Sequence, residues 1–517
     1  MLWFALHLPL LSLEAFCATL GVDQQQRPIA LLAGHEVSAV NAAAAHSGIR
    51  PGCKRATALA LSSQLLLAEA DTRRDAAALQ AVAYAALGFT PSVSLHDEHT
   101  VLLEVHASLR LFGGASALLA RLQQGLQPLG HRVQAAAAPT ALGAVLLARW
   151  YPPAAAGHQA LGPHATQLPA LHRLLQAAPV HLLGPGRAHW EGLQGMGLHT
   201  LADLRALPRS GLARRFGQGL LDDLDRAWGQ RPDPRVWLQL PATFEARLEL
   251  YARADTTDQV LHGAATLLAR LVAWAQARQS RVAAFSLFMH HEARHRGSAP
   301  PATKLAVALA EPALDPAHLQ SLLRERLGQL QLVAPTLELR LHCSQLVQTS
   351  PPNGELFPTR ASAAEGLTRL LERLRARLGD AQVLHLQAVA DHRPERASRS
   401  LPAMKAAPAK AAQGRAAVQK TRTEAVLSYP LPLHRPAWLL TEPMPLAECD
   451  ALPLLDGQPL QLISGPERIE TGWWDGQPVA RDYFIAQAGD GSLVWVWRGR
   501  LPAAQHEVNW FLQGRFG

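Results

Sequence analysis

The opening residues constrain the fold more than any other stretch. Met1-Leu2-Trp3-Phe4-Ala5-Leu6-His7-Leu8 is apolar apart from one histidine, Pro9 interrupts it, and Glu14 is the first acid. A short apolar run closed by proline reads as a buried first strand. The run lacks a basic n-region, so it is not read as a signal peptide.

Strand and helix signals then mix. Pro28-Ile29-Ala30-Leu31-Leu32 and Val37-Ser38-Ala39-Val40 flank a turn at Gly34, and Asn41 to Ser47 has helical character. Val101 to Val105 reads as a strand fed by the tight turn His96-Asp97-Glu98-His99, and Val133 to Ala138 as another. A glycine-punctuated helical stretch runs from about Gly184 to Trp237. Mixed periodicity returns at 244–347, with helices expected at 257–279 and 315–328 and strands at 281–290, 303–309 and 335–343. A loop at 350–360, a helix at 361–378 and a strand at 382–388 follow. Residues 392–424 are rich in Ala, Pro, Lys, Arg and Ser with little apolar periodicity, which predicts a flexible basic linker. Residues 425–517 are tryptophan-rich and strand-like.

A chain of 517 residues holds several domains. The formal charge of +8 suits an acidic partner such as nucleic acid, weakly on its own. Cys17, Cys53, Cys343 and Cys449 form no CxxC pair, which argues against a zinc site or a disulfide framework and for a reduced, cytoplasmic setting. No membrane span is expected.

Several motifs together resemble the ImuB-type, catalytically degenerate homologues of Y-family (UmuC-like) DNA polymerases. A Y-family palm opens with Asp-x-Asp-x-Phe-Phe/Tyr-Ala-x-Val-Glu; here the strand reads Leu6-His7-Leu8-Pro9-Leu10-Leu11-Ser12-Leu13-Glu14. Two-metal phosphoryl transfer needs carboxylates that clamp two cations ~4 Å apart, and leucine cannot ligate magnesium. The fingers motif Ser-Tyr-Glu-Ala-Arg-x-x-Gly-Val is matched by Asn41-Ala42-Ala43-Ala44-Ala45-His46-Ser47-Gly48-Ile49, with Ala42 and Ala45 in place of the Tyr and Arg that grip the triphosphate. The second metal motif, anchored on Leu103-Glu104-Val105, puts its acidic pair at His99-Thr100; Asp97-Glu98 falls on the hairpin and reads as a solvated turn. Ala141 replaces the triphosphate lysine. The resemblance with these losses implies no catalytic residues, no metal site and no cofactor.

The DNA-binding parts are expected to persist. Leu193-Gln194-Gly195-Met196-Gly197-Leu198-His199-Thr200-Leu201 has helix-hairpin-helix form, in which glycines let a hairpin approach a phosphate; an ordinary αα-hairpin is the plain alternative. Gly195, Gly197, Thr200, Arg214 and Arg215 are the candidates there. Arg281 and Lys304 are candidates in the region that resembles a little finger. The local cluster His290, His291 and His295 reads as a polar strand end. Asn353-Gly354-Glu355-Leu356-Phe357 partly matches the clamp-binding form Gln-Leu-Asp/Ser-Leu-Phe; a loop folded back on its own domain is nearly as good a reading. Gly465 to Asp475 and Arg481 to Phe484 resemble an ImuB tail domain.

The expected fold is an α+β multidomain right hand with a small β-rich C-terminal domain. Its parts are a degenerate palm and fingers (1–175), a helix-hairpin-helix thumb (176–240), a little-finger-like domain (241–350), a clamp-motif loop with the following helix and strand (351–391), a basic linker (392–424) and a β domain (425–517). The resemblance implies primer–template DNA, a sliding clamp, an error-prone C-family polymerase and an ImuA-type RecA-like protein as partners. Two alternatives stay open: an active translesion polymerase using Asp97, Glu98 and Glu104, and a clamp-independent DNA-repair scaffold.

Overall fold

The computed structural model describes residues 1–150, 159–292, 301–348, 360–403, 435–436, 438–500 and 509–516. They form two compact units, Met1–Arg377 and Leu378–Gly517.

The apolar opening run is a central strand, Trp3–His7. It lies between Thr100–Glu104 and Val133–Ala138, antiparallel to both, with Val93–Asp97 and Gln159–His164 at the edges of the five-stranded sheet. Side chains alternate between sheet faces, and here both faces are covered. Phe4, Leu6 and Leu8 pack with the helix Thr72–Leu87 and the helix Ala115–Leu126. Trp3 and Ala5 pack with the helix Ala141–Trp150 and a helical bundle that ends in Gln218–Trp228. A separate three-stranded sheet, ordered Glu36–Val40, Ile29–Ala33, Leu66–Glu69, carries the helices Ala42–His46 and Arg55–Leu61.

The next sheet is fully antiparallel, in the order Ala302–Ala313, Arg281–His291, Thr336–Val347, Phe244–Ala254. The helices Thr257–Ala277 and Pro316–Gly328 cover one face through Phe285, Leu287, Met289, Leu339 and Leu341. Thr256 caps the longer helix by accepting from the Gln259 N–H, in a capping box. That helix is buried on nearly all sides because it also meets Thr72–Leu87: Ala269 and Ala273 join the first domain's core while Trp274 fills its own.

In the second unit, Leu384–Ala388 pairs with Ser398–Pro402, and seven strands form one sheet running from Gln458–Pro459 to Gln461–Thr471. Its aromatic core stacks Tyr483 on Trp495 and Trp497 on Phe511, each pair 4.3 Å between ring centres. The linker expectation needs correction over 392–403. Arg393 is buried there, and its guanidinium holds Asp391 and Asp475 at 2.6 Å while Ser398–Pro402 is a paired strand. Composition missed this because a buried arginine with two carboxylates supplies locally what apolar periodicity did not. Residues 404–424 lie outside the described residues.

Trp274 is fully buried, and its indole N–H donates to the Pro241 carbonyl at 3.3 Å. Trp274→Ala is expected to destabilise the protein by about 3–5 kcal/mol, read as a lowered midpoint in urea denaturation followed by circular dichroism.

Candidate functional site

Strand alternation decides what stands where a palm's acids would stand. Leu6 and Leu8, the positions matched to the acidic motif, are fully buried on the core face. The residue that meets His99-Thr100 is His7: it pairs with Thr100 across the sheet, and its Nδ1 lies 3.1 Å from the Thr100 hydroxyl. Leu6 and Leu8 therefore point into the core, and His7 between them takes the opposite face.

The surroundings of His7 are cationic. Arg149, from the helix Ala141–Trp150, forms an ion pair with Asp97 and reaches the Thr100 hydroxyl at 3.5 Å. Burial lowers the His7 pKa to about 4, helped by the positive charge of Arg149 and by His99 and Arg187. His7 is thus neutral at pH 7, beside two guanidinium groups. Burial also brings Arg149 down to about 10, where it is still charged.

The remaining acids do not converge. Asp97 also accepts from the His99 N–H at 2.9 Å, so it belongs to its own turn. Glu104 sits four residues beyond Thr100 on the same strand, roughly 13 Å away at the usual rise, and accepts from the Leu2 and His106 N–H groups. Glu14 caps the Arg132 N–H at 2.9 Å. Among the described residues, no group of three or more His, Cys, Asp or Glu side chains could hold a metal ion. Ala42 and Ala45 lie on the helix Ala42–His46, and Ala141 is buried at the start of its helix next to Thr140, whose hydroxyl donates to the Ala227 carbonyl at 2.8 Å.

The hairpin candidates occupy the bend between the helices Trp190–Gly195 and Leu201–Ala206. Gly197 has φ +77°, and a Cβ at Gly195 or Gly197 would meet open space, so the backbone is approachable there. Thr200 is the N-cap, accepting from the Asp203 N–H, while Asp203 accepts from His199 and Thr200. The N–H groups of Met196, Gly197 and Leu198 also have internal acceptors. An anion at this bend would therefore depend on nearby side chains as well as on the hairpin backbone.

Arg214 and Arg215 are exposed on the helix Arg209–Phe216. Arg209 is bound bidentately to Asp225, and Arg205 lies over the Trp228 ring at 4.8 Å. Lys304 is exposed on the uncovered face of the antiparallel sheet, over Phe288. Cross-strand register extends this into a row that sequence reasoning missed: Lys304, Phe288, Arg340, Arg247. Glu245 is its counter-ion, 2.8 Å from Arg340, and that contact holds Glu245 below the usual carboxylate range. The period of two marked each residue as outward-facing, but only strand order brings the three cations into line. Arg281 stands apart, lining a pocket with His318, Glu372 and Asp315. His291 Nε2 lies 2.7 Å from the Thr303 hydroxyl. His295 and the clamp-motif residues Asn353, Glu355, Leu356 and Phe357 lie outside the described residues.

Residues 13–149 match the impB/mucB/samB family. Over 490 residues the chain is 28% identical to Protein ImuB of Caulobacter vibrioides (strain NA1000 / CB15N), covering 91% of this chain and 100% of that protein. The chain is thus similar over most of its length to the ImuB proteins, and over residues 13–149 to the impB/mucB/samB family. Among solved structures, DinB from Sulfolobus solfataricus is 14% identical with TM-score 0.37, over 68% of this chain and 100% of that one. A Dbh ternary complex is 14% identical with TM-score 0.38, over 67% and 99%. No helix among the described residues is long and apolar enough to cross a membrane.

His7 gives the site a pH signature. The imidazole titrates near 6.5 when free and at about 4 when folded, so the unfolded chain takes up the proton first. Stability is full above pH 6.5 and falls as the pH drops toward 4, by up to roughly 3 kcal/mol from this group. His7→Asn should flatten that decline in urea titrations across the window; His96, lowered to about 4 mainly by burial, should retain part of it.

Proposed function

We propose that this protein is a non-catalytic Y-family homologue that binds primer–template DNA and serves as a hub in DNA-damage mutagenesis. Its similarity to Protein ImuB and to the impB/mucB/samB family supports the mutagenesis-associated role. The observation that carries the non-catalytic reading is the face of the first strand. Where two cations would need carboxylate ligands, His7 is neutral and the nearest acid, Asp97, is engaged by Arg149. A magnesium ion there would have to compete with the Arg149 guanidinium for a single carboxylate rather than enter a carboxylate clamp.

DNA affinity on this reading comes from phosphate contacts without sequence readout. Arg214 and Arg215 beside the hairpin and the row Lys304, Arg340 and Arg247 on the open sheet supply the positive charge. The purified protein should incorporate no nucleotide with magnesium or manganese, yet should bind primer–template DNA with marked salt dependence. Arg214→Glu with Arg215→Glu should weaken binding to all sequences alike. Template-dependent extension that disappears with Asp97→Ala would establish the active-polymerase alternative instead.

The hub would reach replication through the segment Asn353 to Phe357, whose Leu356 and Phe357 suit the hydrophobic pocket of a sliding clamp. On this reading it recruits an error-prone C-family polymerase together with an ImuA-type RecA-like protein. Two large apolar side chains fully buried in a clamp pocket contribute roughly 1.5–3 kcal/mol each. Replacing Leu356 and Phe357 together by alanine should therefore weaken clamp binding in titration by at least tenfold and leave DNA affinity and the melting temperature intact. A lowered melting temperature with unchanged clamp binding would mean that the pair packs on its own domain and that the scaffold is clamp-independent.

A further inference from the structure

Arg270 is the least explained charge among the described residues. It lies in the middle of the helix Thr257–Ala277, where that helix is enclosed, and only 5% of its surface is exposed. No described side chain or carbonyl forms an ion pair or hydrogen bond with it. A buried charge without a partner is costly, and arginine keeps its proton rather than shed the cost by neutralising. Burial alone acts on its pKa, bringing it to about 10 with no offsetting carboxylate.

The guanidinium does face a space. A cavity of about 690 Å³ opens between the helix Thr72–Leu87 and the strand Phe244–Ala254, and Arg270 is in its wall. That volume is in the range of small-ligand sites, roughly 300–1,000 Å³. Arg74 also lines it; its guanidinium lies over the Phe16 ring at 5.2 Å and is already engaged by Asp75 and by the Glu69 carbonyl. Tyr84 and Tyr251 add aromatic wall. Arg73, Arg247, Glu69, Asp71, Glu245, Glu249 and Glu338 also line it, and a wall of mixed charge with five acids suits one small anion at Arg270 better than a polyanionic backbone.

We propose that Arg270 heads an oxyanion-binding site for a small ligand that presents a single phosphate or carboxylate group. The planar fork of arginine is matched to either group by paired N–H···O bonds. The cavity shares Arg247 and Glu245 with one end of the DNA-facing row and shares nothing with the His7 cluster, so it stands or falls independently of the non-catalytic reading.

The test uses the full chain and simple probes. Melting temperature is followed against sodium phosphate and against sodium acetate, each matched in ionic strength with sodium chloride. One of the two anions should raise the melting temperature by roughly 2 °C or more beyond chloride at saturating concentration, and the one that does identifies the chemistry. Arg270→Met should abolish the difference, and without anion it should melt no lower than the parent, because an unpaired buried charge has been replaced by an apolar chain. Ala77→Phe, which fills the cavity and keeps the arginine, should abolish the anion effect too and serves if Arg270→Met does not fold. The proposal is overturned if neither anion stabilises the parent beyond chloride, or if both variants respond as the parent does.

Discussion

The two-sided burial of the strand Trp3–His7 is the constraint on which the first domain depends. Phe4, Leu6 and Leu8 feed one core, Trp3 and Ala5 the other, and each core joins a different set of helices to the sheet. A one-residue slip would exchange the two sets and lose both. Trp3 also stacks on Trp237, 6.0 Å between ring centres, which fastens the segment leading toward the second sheet. His7 is the single polar side chain of the strand, and it lies at the strand's C-terminal end, near Arg149. Burial, not chemistry, therefore governs what this strand can carry.

The same geometry explains which features were legible in the amino-acid order. The strands 101–105 and 133–138, the helix near 257–279 and the hairpin bend at Gly197 follow from period, capping and glycine, all of them local properties. The face of the first strand did not follow: Leu6, His7 and Leu8 lie in an apolar run with no polar alternation to set its parity, and only pairing with Thr100 fixes it. The row Lys304, Arg340, Arg247 required the order of four strands drawn from 104 residues of chain, Phe244 to Val347. Arg393 read as part of a basic linker because its carboxylate partner Asp475 is 82 residues away.

Helix packing between the two domains shows a related division. Where Thr257–Ala277 meets Thr72–Leu87, alanines such as Ala269 and Ala81 permit close approach, and small side chains bring backbones together without gaps. Farther along the same junction the strand Phe244–Ala254 stands off, leaving the cavity lined by Arg270. A close contact and an open space thus share one junction. Arg270 is the residue of this helix that ordinary core packing does not account for.

On the non-catalytic reading proposed above, losing catalytic acids and keeping the architecture are physically compatible. Carboxylates clustered for metal binding repel one another when the metal is absent, so their removal relieves strain on the fold rather than adding to it. Here the relief has been consolidated: Arg149 engages Asp97, Thr140 is tied to Ala227, and Ala141 is buried. His7→Asp alone would set a carboxylate beside Arg149, with Arg187 also acting on that position, and they would pair with it before any divalent cation could. On that reading one substitution would not rebuild a two-metal centre, because the arginine that engages Asp97 would remain.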